Sequence, residues 1–320
     1  MMFVLDELER AAALVHAHFG PTPAYAWPLL GRRAGAELWV KHENHSPTGA
    51  FKVRGGLIYM ERLKRERPEV RGVISATRGN HGQSLAYAGS RVGVKVTIVV
   101  PHGNSAEKNM AMRALGARLI EHGQDFEEAR DEASRLAAAE GLEFAPSFAP
   151  DLVLGVATYA LELFRAAPVL DALYVPIGLG SGICGAILTR DLLGLPTEIV
   201  GVQAEGAATY ANAFATRAPA ALNRAHTLAD GIATRQTDQA ALAIILAGAA
   251  RIATVSDAEI AAAVRAYWED THNLAEGAGA APLAAVLRDR AALAGRRVGV
   301  VLSGGNIDLA LFRSWVLGER

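Results

Sequence analysis

A lysine stands at the start of a helix, behind a run of turn formers. Ser46-Pro47-Thr48-Gly49-Ala50-Phe51-Lys52-Val53-Arg54-Gly55 leads into an amphipathic pattern of Leu57, Ile58, Met60 and Leu63, so Lys52 lies where the helix dipole favours anions over its ammonium. Its amine is therefore easier to deprotonate, and only a neutral amine attacks a carbonyl to form a Schiff base. The plainer alternative is an exposed lysine at a helix start. A second feature, Gly178-Leu179-Gly180-Ser181-Gly182, follows the apolar run Ala172 to Ile177 and opens the helical pattern Ile183 to Leu193. Glycines let backbone N–H groups turn toward an anion, and the helix start adds partial positive charge, so the loop reads as a phosphate cup. The same stretch also fits a dinucleotide fingerprint, Gly180-x-Gly182-x-x-Gly185 with Glu205 as the ribose acid, which keeps a nicotinamide dehydrogenase as an alternative.

Two further polar clusters have no role in such a dehydrogenase. Ser75-Ala76-Thr77-Arg78-Gly79-Asn80-His81-Gly82-Gln83 crowds hydrogen-bonding side chains into a strand-to-helix loop, where open α/β sheets bind ligands. Asn80 as a mere helix cap is the competing explanation. Ser303-Gly304-Gly305-Asn306 follows the strand pattern Val298 to Leu302 and leaves Ser303 at a strand's carboxyl end as a neutral hydrogen-bond partner. His42, Glu43 and His45 lie on an extended segment and need not converge, so no metal site is expected. Cys184, among Ile183, Ala186 and Ile187, reads as a small packed residue.

The elements that must hold these groups follow a βα rhythm. From residue 71 onward, β-branched runs alternate with segments of helical period, as in parallel sheets covered by helices. Strands are expected at Gly72 to Ser75, Val96 to Val100, Arg118 to Glu121, Ala172 to Ile177, Glu198 to Gln203, Ile252 to Val255 and Val298 to Leu302. Helices are expected at Asn80 to Arg91, Ser105 to Leu115 and Asp125 to Glu140. Ahead of residue 71 only Glu37 to Lys41 reads as a strand, too little for its own sheet. The expected division is therefore a small mobile lobe at 72–145 and a larger, cofactor-binding lobe built from 1–71 and 146–320.

At 320 residues there is ample chain for two cores. Lys and Arg total 32 against 33 Asp and Glu, so neither a nucleic-acid partner nor disorder is favoured. The N-terminus lacks the basic start and apolar core of a secretory signal, and Cys184 is the single cysteine, so a cytoplasmic enzyme is expected. No apolar run reaches the length of a membrane span, and no membrane partner is expected.

Taken in order along the chain, the four motifs resemble the fold-type II pyridoxal-phosphate enzymes, specifically their serine/threonine dehydratase and serine racemase branch. Those motifs are Thr48 to Gly55, Gly79 to Gln83, Gly178 to Gly182 and Leu302 to Asn306. The resemblance implies a two-lobed α/β fold of the tryptophan synthase β type, each lobe an open, mostly parallel sheet flanked by helices. It also implies pyridoxal 5'-phosphate as cofactor, a small amino-acid substrate and a homodimer. By that resemblance Lys52 anchors the cofactor and removes the α-proton, Phe51 packs on the ring, and Asn80 bonds its hydroxyl. Gly178, Leu179, Gly180, Ser181 and Gly182 hold the phosphate, Ser303 faces the pyridine nitrogen, and Thr77, Arg78, Asn80 and His81 meet the substrate. The expected reaction is β-elimination from a 3-hydroxy amino acid, giving a 2-oxo acid and ammonia, with Lys52, Ser303 and Arg78 as catalytic residues. Threonine, serine, 3-phenylserine and 3-hydroxyaspartate share the reacting atoms. An amino-acid racemase of the same family is the alternative, but Arg78 occupies the place of the racemases' serine base and is a poor proton acceptor. Of the racemases' cation ligands, Glu205 fits the first position while Ala211 stands at the second. A catalytically dead relative is disfavoured by Lys52 and Ser303. No carboxy-terminal regulatory extension follows, so allosteric control of the biosynthetic-deaminase kind is not expected.

Overall fold

The computed structural model describes residues 2–319. Its strands are β1 (Ala24–Ala26), β2 (Glu37–His42), β3 (Gly72–Ala76), β4 (Lys95–Val100), β5 (Arg118–Glu121), β6 (Glu143–Phe144), β7 (Ala172–Pro176), β8 (Glu198–Ala204), β9 (Arg251–Val255) and β10 (Arg297–Leu302). They form a six-stranded sheet in the order β1-β2-β10-β7-β8-β9 and a four-stranded sheet in the order β5-β4-β3-β6. Only β1 runs antiparallel to its neighbour. Every residue of β3 and of β7 is buried, as parallel strands covered on both faces require, and this explains why these strands read as continuous apolar runs. The fold is α/β, with two open, mostly parallel sheets flanked by helices.

Two strands depart from the sequence reading. β1 is Ala-Tyr-Ala and β6 is two residues long; neither carries the β-branched run that marks a strand. The helix Lys52–Glu66 also lies before the expected small lobe, yet Val53, Leu57, Met60 and Leu63 pack into one core with Val73, Leu85, Val96 and Ile98 of the four-stranded side.

Three features of this architecture matter for the chemistry. β2 lies beside β10 in parallel register from Glu37↔Arg297 to His42↔Leu302, so segments 260 residues apart in sequence deliver the Lys52 and Ser303 loops to one sheet edge. β7, on the other side of β10, delivers the glycine loop there too. The helix Ala106–Ala114, between β4 and β5, reaches across to the larger sheet: Lys108 bonds Asp230 and Glu276, Ser105 bonds Asp308, and Glu107 accepts from the Leu309 N–H at 2.9 Å. No helix among the described residues is long and apolar enough to cross a membrane.

Candidate active site

Lys52 is the first residue of its helix, and backbone pairing to the Ser303 loop fixes its position. Ala50 forms an antiparallel bridge with Gly304, the Phe51 N–H donates to the Ser303 carbonyl at 2.9 Å, and the Gly305 N–H donates to the Gly49 carbonyl at 2.9 Å. Gly49 has φ +66°, and a Cβ there would lie 2.6 Å from Asn306 Oδ1, so glycine is required twice over. From this base Lys52 Nζ donates to Ser181 Oγ at 2.9 Å and lies 5.1 Å from the Phe51 ring centre. No carboxylate pairs with it among the described residues. Packing around the amine lowers its pKa to about 8, because an unpaired buried ammonium is costly. The neutral, nucleophilic form therefore becomes scarcer below that pH. Capture of an aldehyde by the ligand-free protein is expected to quicken about tenfold per pH unit up to about 8 and to level off above. Stopped-flow absorbance across that range checks this, and a flat profile from pH 6 to 9 would contradict it.

Ser181 belongs to the glycine loop, so the amine and the anion cup are joined by a hydrogen bond. Gly180 caps the helix Ser181–Leu192 with φ +104°, and a Cβ at Gly178 would lie 2.6 Å from the Gly231 carbonyl. The helix has no acidic residue in its first turn, and its leading N–H groups have no intrahelical acceptor. Outside partners hold the loop's carbonyls: Tyr210 donates to Leu179 O at 2.9 Å, Thr234 to Gly178 O at 3.3 Å, and buried Tyr159 to Gly182 O at 2.9 Å. The loop can thus bind a phosphate. The third glycine of the dinucleotide pattern serves helix packing instead, since a Cβ on Gly185 would lie 3.0 Å from Ala157 Cα. Glu205 is exposed.

Asn80 opens the helix that follows β3 of the four-stranded sheet, and its amide orientation is determined by its neighbours. The Thr48 carbonyl can only accept, so Asn306 presents its Nδ2 there at 2.8 Å and uses its second N–H on Asn80 Oδ1 at 2.8 Å. Asn80 Nδ2 then donates to Glu276 Oε1 at 2.6 Å. One Asn80 N–H remains for a ligand. Ser303 is buried and lines a small hollow with Phe51, Tyr159, Val175 and Gly182. His81 is buried near Lys52, its Nε2 without a protein partner; burial, then the lysine's charge, push its pKa down to about 3, so the ring is neutral. The Thr77 hydroxyl accepts from the Gly79 N–H at 3.1 Å and so shapes the loop itself. Arg78 is exposed and makes no hydrogen bond or ion pair among the described residues. His42 accepts from the Trp27 indole at 2.9 Å and Glu43 turns away to Arg54, so these residues and His45 do not converge. Cys184 is buried, and its thiol donates to the Ala241 carbonyl.

Glu276, Lys108 and Asp230 also belong to the site, and the sequence reading assigned them nothing. Buried Lys108 donates to Asp230 Oδ2 at 2.7 Å and Glu276 Oε2 at 3.3 Å. A signal was present in Glu276-Gly277-Ala278-Gly279-Ala280-Ala281, an acid before an unusually small-residue helix start. Those residues are small because the helix packs against the Ser303 loop, where a Cβ on Gly279 would collide with the Gly304 carbonyl.

The lone amine, anion cup and oriented amide suit a phosphorylated aromatic aldehyde. Residues 15–304 match the family model described as pyridoxal-phosphate dependent enzyme. The chain is 31% identical to the L-threo-3-hydroxyaspartate ammonia-lyase of Saccharomyces cerevisiae, covering 99% of this chain and 96% of that protein. It is also 31% identical to the L-threonine ammonia-lyase of Thermotoga maritima, covering 96% and 77%. Among solved structures, maize serine racemase superposes with a TM-score of 0.91 at 26% identity, covering 98% of this chain and 97% of that one.

Proposed function

Because the chain belongs to the pyridoxal-phosphate dependent enzyme family, we propose that it is an ammonia-lyase converting a 3-hydroxy L-amino acid to a 2-oxo acid and ammonia. The observation that carries this is the Lys52 amine, which among the described residues has no carboxylate partner and is hydrogen-bonded to Ser181 of the anion loop. The two ammonia-lyases to which the chain is 31% identical support the same direction.

Pyridoxal phosphate, when bound, supplies the electron sink that makes a substrate α-proton removable. Gly178 to Gly182 would hold its phosphate, the free Asn80 N–H would meet its ring hydroxyl, Phe51 would pack on the ring, and the uncharged Ser303 hydroxyl would meet its pyridine nitrogen. Lys52, with an amine that sheds its proton near neutral pH, anchors the cofactor and then takes the α-proton. The substrate's β-hydroxyl departs as water with the proton that Lys52 took from the α-carbon, and a second water hydrolyses the released enamine to the oxo acid and ammonia. Arg78, a free cation on the Asn80 loop, binds a substrate carboxylate with Thr77 and His81 beside it. A guanidinium has no free lone pair with which to accept a proton, so it offers no second base for racemisation. The lobe 72–145 swings as a unit over the portion formed by 1–71 and 146–320, excluding water during the reaction. The reading includes a homodimer in the cytoplasm, where a single buried cysteine needs no oxidising compartment.

The test is to incubate the purified protein with L-threonine, L-serine, L-threo-3-hydroxyaspartate and L-threo-3-phenylserine and to follow ammonia and oxo acid. At least one should give both products in equal amounts with no appreciable D/L interconversion. Racemised substrate without ammonia would favour the racemase reading. A colourless protein that binds NAD(H) would favour the dehydrogenase.

A further inference from the structure

Asn80 belongs to the four-stranded side, and both groups that orient its amide, Asn306 and Glu276, belong to the six-stranded side. The amide is therefore oriented only while the lobes are together. Glu276 faces two donors at once: Oε1 takes the Asn80 N–H at 2.6 Å and Oε2 takes Lys108 Nζ at 3.3 Å. The site is built for this carboxylate, since a Cβ on Gly304 would lie 2.5 Å from Oε1. We propose that Glu276 and Lys108 are positioning residues: the carboxylate, held from the opposite lobe by Lys108, fixes which edge of the Asn80 amide faces the cofactor and ties that orientation to closure of the cleft.

The chemistry requires two acceptor atoms on one side chain. Burial pushes the Glu276 carboxyl upward, Lys108 works against this, and Asp230 adds to it. A glutamine has a single acceptor oxygen. In Glu276→Gln either Asn80 loses its acceptor or Lys108 is left with Asp230 alone, and the glutamine's other edge is an NH2 group that opposes whichever donor it meets. Removing the second donor as well, in Lys108→Met/Glu276→Gln, leaves one acceptor facing one donor and restores the match.

The inference rests on the family reading but not on the choice of substrate, so it is tested by binding rather than turnover. Pyridoxal phosphate is titrated into the ligand-free protein, and affinity and the absorption band of the bound form are recorded for wild type, Glu276→Gln, Lys108→Met and the double variant. Glu276→Gln should weaken binding about tenfold to hundredfold and alter the band, the loss expected for one buried hydrogen bond to a charged group. The double variant should bind more tightly than Glu276→Gln and regain the wild-type band; a simple structural ion pair also couples in such a cycle, but it leaves the absorption band of the bound form unmoved in all four proteins. A double variant as weak as Glu276→Gln, or a Glu276→Gln protein with wild-type affinity and band, would overturn the proposal. If Lys108→Met fails to fold by circular dichroism, Lys108→Leu, which likewise carries no donor, takes its place in the cycle. Wild-type binding without any ammonia release would defeat the ammonia-lyase reading and leave this cycle measurable.

Discussion

Lys52→Ala should abolish ammonia release by about four orders of magnitude or more, the scale seen when a group that is both nucleophile and base is removed. It should also abolish the borohydride-sensitive absorption of the loaded protein. Both losses follow from one atom. Among the described residues, the hydrogen bond of Lys52 Nζ is to Ser181 of the glycine loop. The variant should remain folded. A lysine whose pKa falls from 10.5 to about 8 on folding destabilises the folded state wherever the ammonium must be carried, fully so below about 8. Its removal should therefore leave thermal stability at neutral pH unchanged or slightly raised, which separates a chemical defect from a folding defect. Lys52→Arg retains a long cation but offers no neutral amine, and should be as inactive as the alanine. Near-wild-type turnover in either variant, or a persistent borohydride-sensitive band in the alanine variant, would move the anchor to another residue.

How far this site was readable from sequence depends on whether its logic is local. Lys52 and the loop 178–182 announce themselves because turn formers, glycines and a helix start lie within a few residues of the reacting group. Asn80 and Ser303 were visible for the same reason, each at the carboxyl end of a strand whose apolar run is continuous. The partners that orient Asn80 were not. Glu276 meets Lys108 across 168 residues of chain and Lys108 meets Asp230 across 122, and apart from the small-residue helix start after Glu276 nothing in the composition near them says that the Lys108 and Glu276 charges will be buried. The fold shows the same division. Long parallel strands were legible from their β-branched runs, whereas β1 and β6 depend on a neighbouring edge and carry no pattern of their own. Arg54 was quoted only as part of the lysine motif, because an arginine in the first turn of a helix reads as a solvated side chain.

Arg54 is instead fully buried, and its replacement should have the largest effect on stability of any single change near the site. Its Nε and Nη2 donate to Glu43 at 2.7 and 3.0 Å, and its Nη1 and Nη2 donate to Glu162 at 2.6 and 2.8 Å. Thr158 also accepts from it, at 3.0 Å. Lys41, likewise buried, donates to Glu162 at 2.5 Å, so two cations balance two carboxylates just behind the residue that carries Lys52. Arg54→Met fills most of the volume but leaves Glu43 and Glu162 with one cation between them. Uncompensating a buried charge in this way costs about 3–5 kcal/mol, a large share of the roughly 5–15 kcal/mol that holds a domain folded. The pH dependence distinguishes this cause from poor packing. Burial alone would raise the Glu162 carboxyl, but Arg54, with Lys41, brings it from 4.5 down to about 2. The wild-type contribution is therefore fully present above pH 4.5 and fades only as pH falls toward 2. Without Arg54 the Glu162 carboxyl moves upward and takes a proton in mild acid, which relieves the penalty. The stability gap between wild type and Arg54→Met should thus be widest near pH 7 and narrow toward about pH 5, as urea unfolding at both values would measure. Replacing Glu43 with Gln in the same variant should recover part of the loss at neutral pH, because the remaining carboxylate then has Lys41 to itself. A gap below about 1 kcal/mol, the scale of an exposed ion pair, would show that the network is not isolated from water. A gap that stays constant with pH would assign the loss to packing.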